Sequence, residues 1–190
     1  MKSKDATKQQ ALMEATLALV HEKGLSAFTM QEVAKRAGLA TGTVYVYFES
    51  KEKLLTDTYQ WVKKAGLDAL IGQLDKNQPY PALMKGLWIR FLKYCLEKEP
   101  EMVFVEQFKH SPYLHLIPAN IQAEFERPIQ ALLDLGKQQL LLKDMDNQWL
   151  YAVIHGTTLS LSRLIKEEDL TQHPEKIEAL FRLVWDSLKA

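Results

Sequence analysis

The sequence predicts an all-α protein, on three observations. No segment alternates polar and apolar residues with the period of two that a half-buried strand requires. Long amphipathic stretches at helical spacing recur instead, separated by Pro and Gly breaks. The third observation is local: residues 29–48, TMQEVAKRAGLATGTVYVYF, read as two short helices joined by a tight turn. With 190 residues and 47% apolar content, the chain can bury one good core or two small ones.

The first helix is predicted to be capped by Thr7 with Gln10 and to stop at Gly24, with Leu12, Ala15, Thr16, Leu19 and Val20 on one face. A second helix opens at Thr29, followed three positions later by Glu32, a capping box that satisfies free amide groups reciprocally. Val33, Ala34 and Ala37 form its apolar strip. Gly38 stands where a helix ends in a left-handed turn, and Leu39 plugs the angle that follows. Thr41 is expected to cap the third helix, in which Val44 and Phe48 are four apart and share a face. With those two inward, Thr41, Gly42, Thr43, Tyr45 and Tyr47 remain around the exposed side. A slim helix with short or flat side chains is what presses against base edges in the major groove. Gly42 lets a phosphate approach the backbone, Thr and Tyr hydroxyls bond phosphate or base edges, and a Thr methyl meets a thymine methyl. Lys51, after Glu49-Ser50, opens the next helix within reach of the DNA backbone. A plain three-helix packing corner also accounts for the Gly-turn-Thr pattern, but it explains two exposed tyrosines on a short helix badly.

The fourth helix is predicted from Lys51 to about Leu74, with Leu54, Thr58, Trp61, Val62, Ala65 and Ala69 near its buried side, and DKNQPYP (75–81) breaks it. Further helices are expected over about 81–98, 101–110, 118–142, 146–167 and 174–188. Pro100, Pro112, Pro118 and Pro174 mark starts or stops. Pro128 falls inside a helical pattern and should kink or divide it. No internal repeat or low-complexity linker interrupts the chain, so the domain boundary is placed beside the long helix, giving domains 1–53 and 54–190.

The run from Thr7 through Lys53 resembles the DNA-binding domain of the TetR family of bacterial repressors. The resemblance is carried by HEKG (21–24), Phe28-Thr29, EVAKRAGL (32–39), TGTVYVYF (41–48) and SKEKLL (50–55). It covers the first third of the chain; the rest matches that family only in length and helical character. By position, it implies DNA contacts from Thr29, Thr41, Gly42, Thr43, Tyr45, Tyr47 and Lys51. Val46 is apolar where many members carry something polar, so base preference does not transfer. The implied architecture is an N-terminal three-helix DNA-binding domain with a helix-turn-helix, joined by a long helix to a C-terminal helical ligand-binding and dimerisation domain.

In that second domain the resemblance implies an effector cavity, for which Trp61, Trp88, Phe91, Tyr94, Phe104, Phe108, Tyr113 and Trp149 are the candidate lining. Flat aromatic walls suit hydrophobic or cationic aromatic compounds, and the same residues equally serve as the packing of a helical bundle. For a homodimer the candidates are Ala152, His155, Gly156, Leu159 and Arg163, with small residues at 152, 156 and 160 allowing close helix approach. Phe181, Val184 and Trp185 of the last helix complete the expected interface. Filling the monomer's own core is the other reading of both helices. A palindromic double-stranded operator read by two heads, and released when an effector alters the tilt of the 51–74 helix, is the mechanism these pieces imply.

Other classes fit less well. The chain has no Gly-rich phosphate loop, no Ser/His/Asp or Cys/His arrangement that spacing supports and no carboxylate cluster at metal spacing, so neither an enzyme nor a cofactor is expected. His110 and Glu106 have i, i+4 spacing, but FKHSPYLHLIP matches no strong metal motif, and no metal is expected. The single cysteine, Cys95, excludes an internal disulfide framework and suits a cytoplasmic location. No apolar run is long enough to span a membrane, and the start MKSKDATKQQ lacks a signal-peptide pattern. Formal net charge is zero, yet residues 1–55 hold eight Lys/Arg against six Asp/Glu. That mild basic excess fits a protein that touches DNA at one end. An activator, or a DNA-binding architectural protein without an effector, remains the alternative to a repressor.

Overall fold

The computed structural model describes residues 5–72, 74–75, 77–169 and 173–190. Among these residues the elements are α1 (Ala6–Lys23), α2 (Met30–Arg36), α3 (Thr41–Tyr47), α4 (Lys51–Ile71), α5 (Tyr80–Glu97), α6 (Glu99–Lys109), a 3-10 turn (Pro112–Leu116), α7 (Ala119–Gln138), α8 (Asn147–Glu167) and α9 (Pro174–Leu188). The described residues contain no strand, only an isolated antiparallel bridge between Leu142 and Lys189. The all-α class is therefore correct, and most predicted helix limits lie within two residues of the observed ones. The expected extension of α4 to Leu74 crosses Gln73, which lies outside the described residues.

The chain forms two units, and they divide it differently from a boundary at 53/54. The described residues of Met1–Ala65 pack with Glu99–Ile121, and Gly66–Lys98 packs with Gln122–Ala190. The reason for the first grouping is apolar. α6 carries Phe104 and Phe108, both fully buried beside Leu12 and Val20 of α1 and Leu54 and Leu55 of α4. Tyr59 of α4 stacks on Phe108 with centroids 4.3 Å apart. Each such fully buried side chain stabilises the unit by roughly 1.5–3 kcal/mol.

The second unit has its own core, built on Tyr80, Leu83, Trp88, Leu92, Leu133, Leu150, Ile165, Val184 and Leu188. Three local expectations change here and in the first unit. Pro128 sits inside α7 without dividing it. α1 is capped by Asp5, whose carboxylate accepts the Thr7 N–H at 3.0 Å, two residues before the Thr7–Gln10 pair begins. Ala65 and Ala69 of α4 are exposed, while Leu54, Thr58 and Val62 are buried as the helical spacing predicts.

Candidate nucleic-acid interface

The local geometry of residues 29–48 follows from its own residues. Thr29 Oγ1 accepts the Glu32 N–H at 3.2 Å, and Glu32 Oε2 accepts the Thr29 N–H at 2.9 Å, closing the capping box of α2. Lys23 of α1 reaches the other Glu32 oxygen at 2.6 Å. The Lys23 ammonium first, and the Thr29 N–H second, pull the Glu32 carboxyl down to about 2. Arg36 at the other end of α2 grips both Glu22 oxygens, at 2.7 and 2.5 Å, so α2 is fastened to α1 at each end. Gly38 then takes φ 67°, a conformation that side-chain-bearing residues rarely adopt, and the chain turns into α3.

In α3 the buried pair is Val44 and Phe48, each fully inaccessible. Thr41 is not the cap: Ala40 holds that position with no side-chain bond, and Thr41 is the first helical residue. Its hydroxyl is thereby left on the exposed side. Thr41, Gly42, Tyr45 and Val46 are exposed, and Thr43 and Tyr47 are half-buried. Tyr47 lies three residues after Val44 and packs its ring partly against the core, while its hydroxyl accepts the Asp5 N–H at 3.2 Å at the surface. Sequence reasoning passed over Val46 as a contact, although it is 61% exposed against 54% for Tyr45. Its place four residues after Gly42, on the face opposite Val44, was the signal available.

Lys51, expected to face the DNA backbone, directs its ammonium into the protein. It donates to the Phe28 carbonyl at 2.7 Å and the Ser26 carbonyl at 3.1 Å, and lies 4.1 Å from the Phe28 ring centroid. Burial pushes its pKa down from the ordinary lysine value.

The expected effector residues are divided between the two units. Phe104, Phe108, Trp61 and Tyr113 belong with the core of the first unit. Trp88, Phe91 and Tyr94 are in the second, with Trp88 buried and the others half-buried. Trp149 is 57% exposed. Phe104 and Phe108 are thus packing residues of α6, stacked on each other, with Phe108 also stacked on Tyr59, and Trp149 is a surface residue. Trp88 differs from them all: its indole N–H is buried and meets no acceptor among the described residues.

Of the expected interface residues, Ala152, Gly156 and Arg163 are exposed on α8, and His155 and Leu159 are half-buried. His155 stands between the rings of Phe91 and Tyr151, with centroids 5.4 and 5.2 Å away. Phe181 and Val184 face inward instead, Phe181 packing 5.6 Å from Trp88, because α9 turns that side to its own core. Trp185 is half-buried beside Phe181 and Tyr80. The large apolar residue that α9 exposes is Leu183, at 66%, and α8 exposes Trp149, Val153 and Leu164. Among the described residues no three His, Cys, Asp or Glu side chains cluster as metal ligands, and no helix is long and apolar enough to cross a membrane.

A capped α2, a left-handed glycine turn and an α3 that buries Val44 and Phe48 while exposing Thr41 and Tyr45 define a helix-turn-helix DNA-binding protein. Comparison with known proteins narrows the class. Residues 12–58 match the pattern described as "Bacterial regulatory proteins, tetR family", and residues 75–190 match "Tetracyclin repressor-like, C-terminal domain". The chain belongs to the TetR family of transcriptional regulators. It is 24% identical over 185 residues to an HTH-type transcriptional regulator of Haemophilus influenzae, an alignment covering 95% of each chain. It is also 26% identical to the HTH-type transcriptional regulator BetI of Escherichia coli, across 87% of this chain and 93% of BetI. A TetR family transcription regulator from Marinobacter aquaeolei VT8 superposes with a TM-score of 0.87 at 29% identity, covering 100% of this chain and 99% of the other.

Proposed function

We propose that this regulator is a repressor that binds a palindromic operator as a homodimer and is released by a small hydrophobic or aromatic effector. The observation that carries the DNA half is the split of α3. Val44 and Phe48 anchor it to the core, which leaves Thr41, Gly42, Tyr45 and Val46 as an uninterrupted exposed face. Thr29, Thr43 and Tyr47 flank that face as backbone or sugar-phosphate contacts. One head of this size covers a single half-site, and a two-fold pair doubles the contacts on a palindrome.

The face of α8 that exposes Trp149, Ala152, Val153, Gly156 and Leu164, with Leu183 of α9, is the proposed dimer surface. It is apolar where a monomer gains nothing from being apolar. For the effector, the supporting observation is Trp88. A buried indole N–H without an acceptor costs about 1–3 kcal/mol, a cost that an acceptor atom on an aromatic or lipophilic ligand removes. Phe91 and Tyr94 follow on the same helix, so the proposed cavity keeps these three residues from the original set.

The test is selection of random duplex DNA by the purified protein, followed by binding to the winning sequence at two salt concentrations. A palindrome bound by dimers is the expected result. Binding without any enriched sequence, and with a steep salt dependence, identifies a sequence-independent DNA-binding protein instead. With the operator in hand, effectors are found by release, and operator DNA must weaken effector binding by the same factor.

A further inference from the structure

The connection between α1 and α2, residues 24–28, is short and anchored by two buried side chains, Leu25 and Phe28 at 6% and 2% exposed, while Ser26 and Ala27 are exposed. Its backbone groups find partners far along the chain. The Leu25 N–H donates to Gln107 Oε1 of α6 at 2.8 Å, a bond between residues 82 apart in sequence. The carbonyls of Ser26 and Phe28 both accept from Lys51 Nζ, the first residue of α4. The same ammonium rests over the Phe28 ring, 4.1 Å from its centroid. At Gly24, which begins the connection at φ 87°, a Cβ would lie 3.7 Å from Gln107 Oε1.

Two helices thus hold one loop, and the loop leads directly into the capping box. Phe28 immediately precedes Thr29, whose cap sets where α2 starts, and α2 is followed within a few residues by α3. A displacement of Lys51 or of Gln107 alters the origin of α2 and so the direction in which α3 is presented. Two of the three N–H bonds of the Lys51 ammonium are committed to carbonyls inside the protein.

We infer that Lys51 and Gln107 are positioning residues for sequence reading: they fix the 24–28 loop from α4 and α6, and Lys51 acts through the Ser26 and Phe28 carbonyls rather than on a DNA phosphate. The inference rests on α3 being the reading helix.

A phosphate contact and a positioning contact leave different signatures. A lysine that neutralises a phosphate contributes about 0.9 to the slope of log affinity against log salt, and it strengthens binding to every duplex alike. A positioning residue leaves the slope unchanged, and its loss weakens only the selected sequence. The experiment measures binding of the unmodified protein, Lys51→Met, Gln107→Met and Gln107→Glu to the selected duplex and to a scrambled duplex, across a salt series. Lys51→Met and Gln107→Met are expected to lose about tenfold or more on the selected duplex, with scrambled binding and salt slope unchanged. Gln107→Glu, which keeps an acceptor for the Leu25 N–H, is expected to retain affinity. If Lys51→Met does not fold, the two Gln107 variants decide the question alone. A salt slope reduced by about one in Lys51→Met, with equal losses on both duplexes, overturns the inference in favour of a phosphate contact. So does tight, selective binding by both Met variants. Failure of the unmodified protein to select any duplex is a separate outcome, which removes the reading role of α3 and the positioning role with it.

Discussion

The hydroxyl of Tyr80, at the start of α5, occupies the space where Gly136 of α7 would carry a side chain, and it donates to the Leu132 carbonyl at 3.0 Å. Burial raises the Tyr80 pKa far above the ordinary tyrosine value, so the neutral, donating form is the one present. α5 and α7 are joined at this point by a bond that only a glycine permits.

Gly136→Ala sets two effects against each other. Alanine favours a helix interior by about 1 kcal/mol. Its methyl group collides with the Tyr80 hydroxyl, and moving that ring costs about 1–3 kcal/mol in overpacking and about 1–3 kcal/mol more for an orphaned hydroxyl. The collision wins. Thermal unfolding should show a net loss of about 2 kcal/mol, a fall in Tm of roughly 4–8 °C for a chain of this length. The double variant Gly136→Ala, Tyr80→Phe should recover part of that loss.

Tyr45→Ala removes the largest flat side chain from the exposed face of α3, where Tyr45 is 54% accessible. Folding should be unaffected, because nothing in the core rests on it. Affinity for the selected duplex should fall by about tenfold or more, in line with the ~1–3 kcal/mol that one good base contact supplies. Unchanged affinity in a gel-shift or fluorescence titration places the reading face elsewhere. Tyr47→Phe probes a different point, since that hydroxyl already accepts the Asp5 N–H; part of any loss there reflects a looser start to α1.

How legible all this was depended on distance along the chain. The Thr29–Glu32 box and the Gly38 turn are set by residues three or four positions apart, and both form as expected. The cap of α1 lies two residues earlier than expected because Asp5, a stronger capping residue, precedes Thr7. Phe104 and Phe108 resembled the walls of a cavity because aromatic content does not reveal a partner. The ring that stacks on Phe108, Tyr59, comes from α4, about 50 residues earlier, and no local pattern announces it. In α9 the spacing Leu180, Phe181, Val184, Trp185 marks an apolar stripe but not whether it faces its own core or another subunit. Phe181 and Val184 are buried in the core of their own unit, and Leu183 is exposed.

Glu32 makes the cap of α2 sensitive to acid. Its folded pKa of about 2 lies below the ordinary 4.5, so the ionised form is favoured by folding. The stability it contributes is complete above pH 4.5 and is lost as pH falls through about 2. Glu32→Gln keeps an acceptor for the Thr29 N–H but cannot ionise. A series of urea unfolding curves between pH 5 and 2 should therefore fall less steeply for Glu32→Gln than for the unmodified protein. Parallel curves would show that Lys23 and Thr29 do not favour the charged form.

The proposed dimer surface makes a sharper demand, because neighbouring residues of one helix should behave in opposite ways. Leu183 of α9 is 66% exposed and Leu164 of α8 is 50% exposed, whereas Val184 is 3% exposed. A glutamate at either exposed leucine meets water in the monomer, so the fold should survive. At a dimer surface the same change puts two carboxylates, related by the two-fold axis, into an apolar contact. Leu183→Glu with Leu164→Glu should give a folded monomer by sedimentation velocity, with the helical circular dichroism of the unmodified protein. Its Tm should no longer rise with protein concentration, since mass action no longer stabilises it. Operator affinity should drop because each monomer holds only a half-site. Val184→Glu should instead unfold the second unit, since an unpaired charge would enter its core. A double variant that stays dimeric would move the interface off this face of α8 and α9, and it would leave the exposed leucines without a role in assembly.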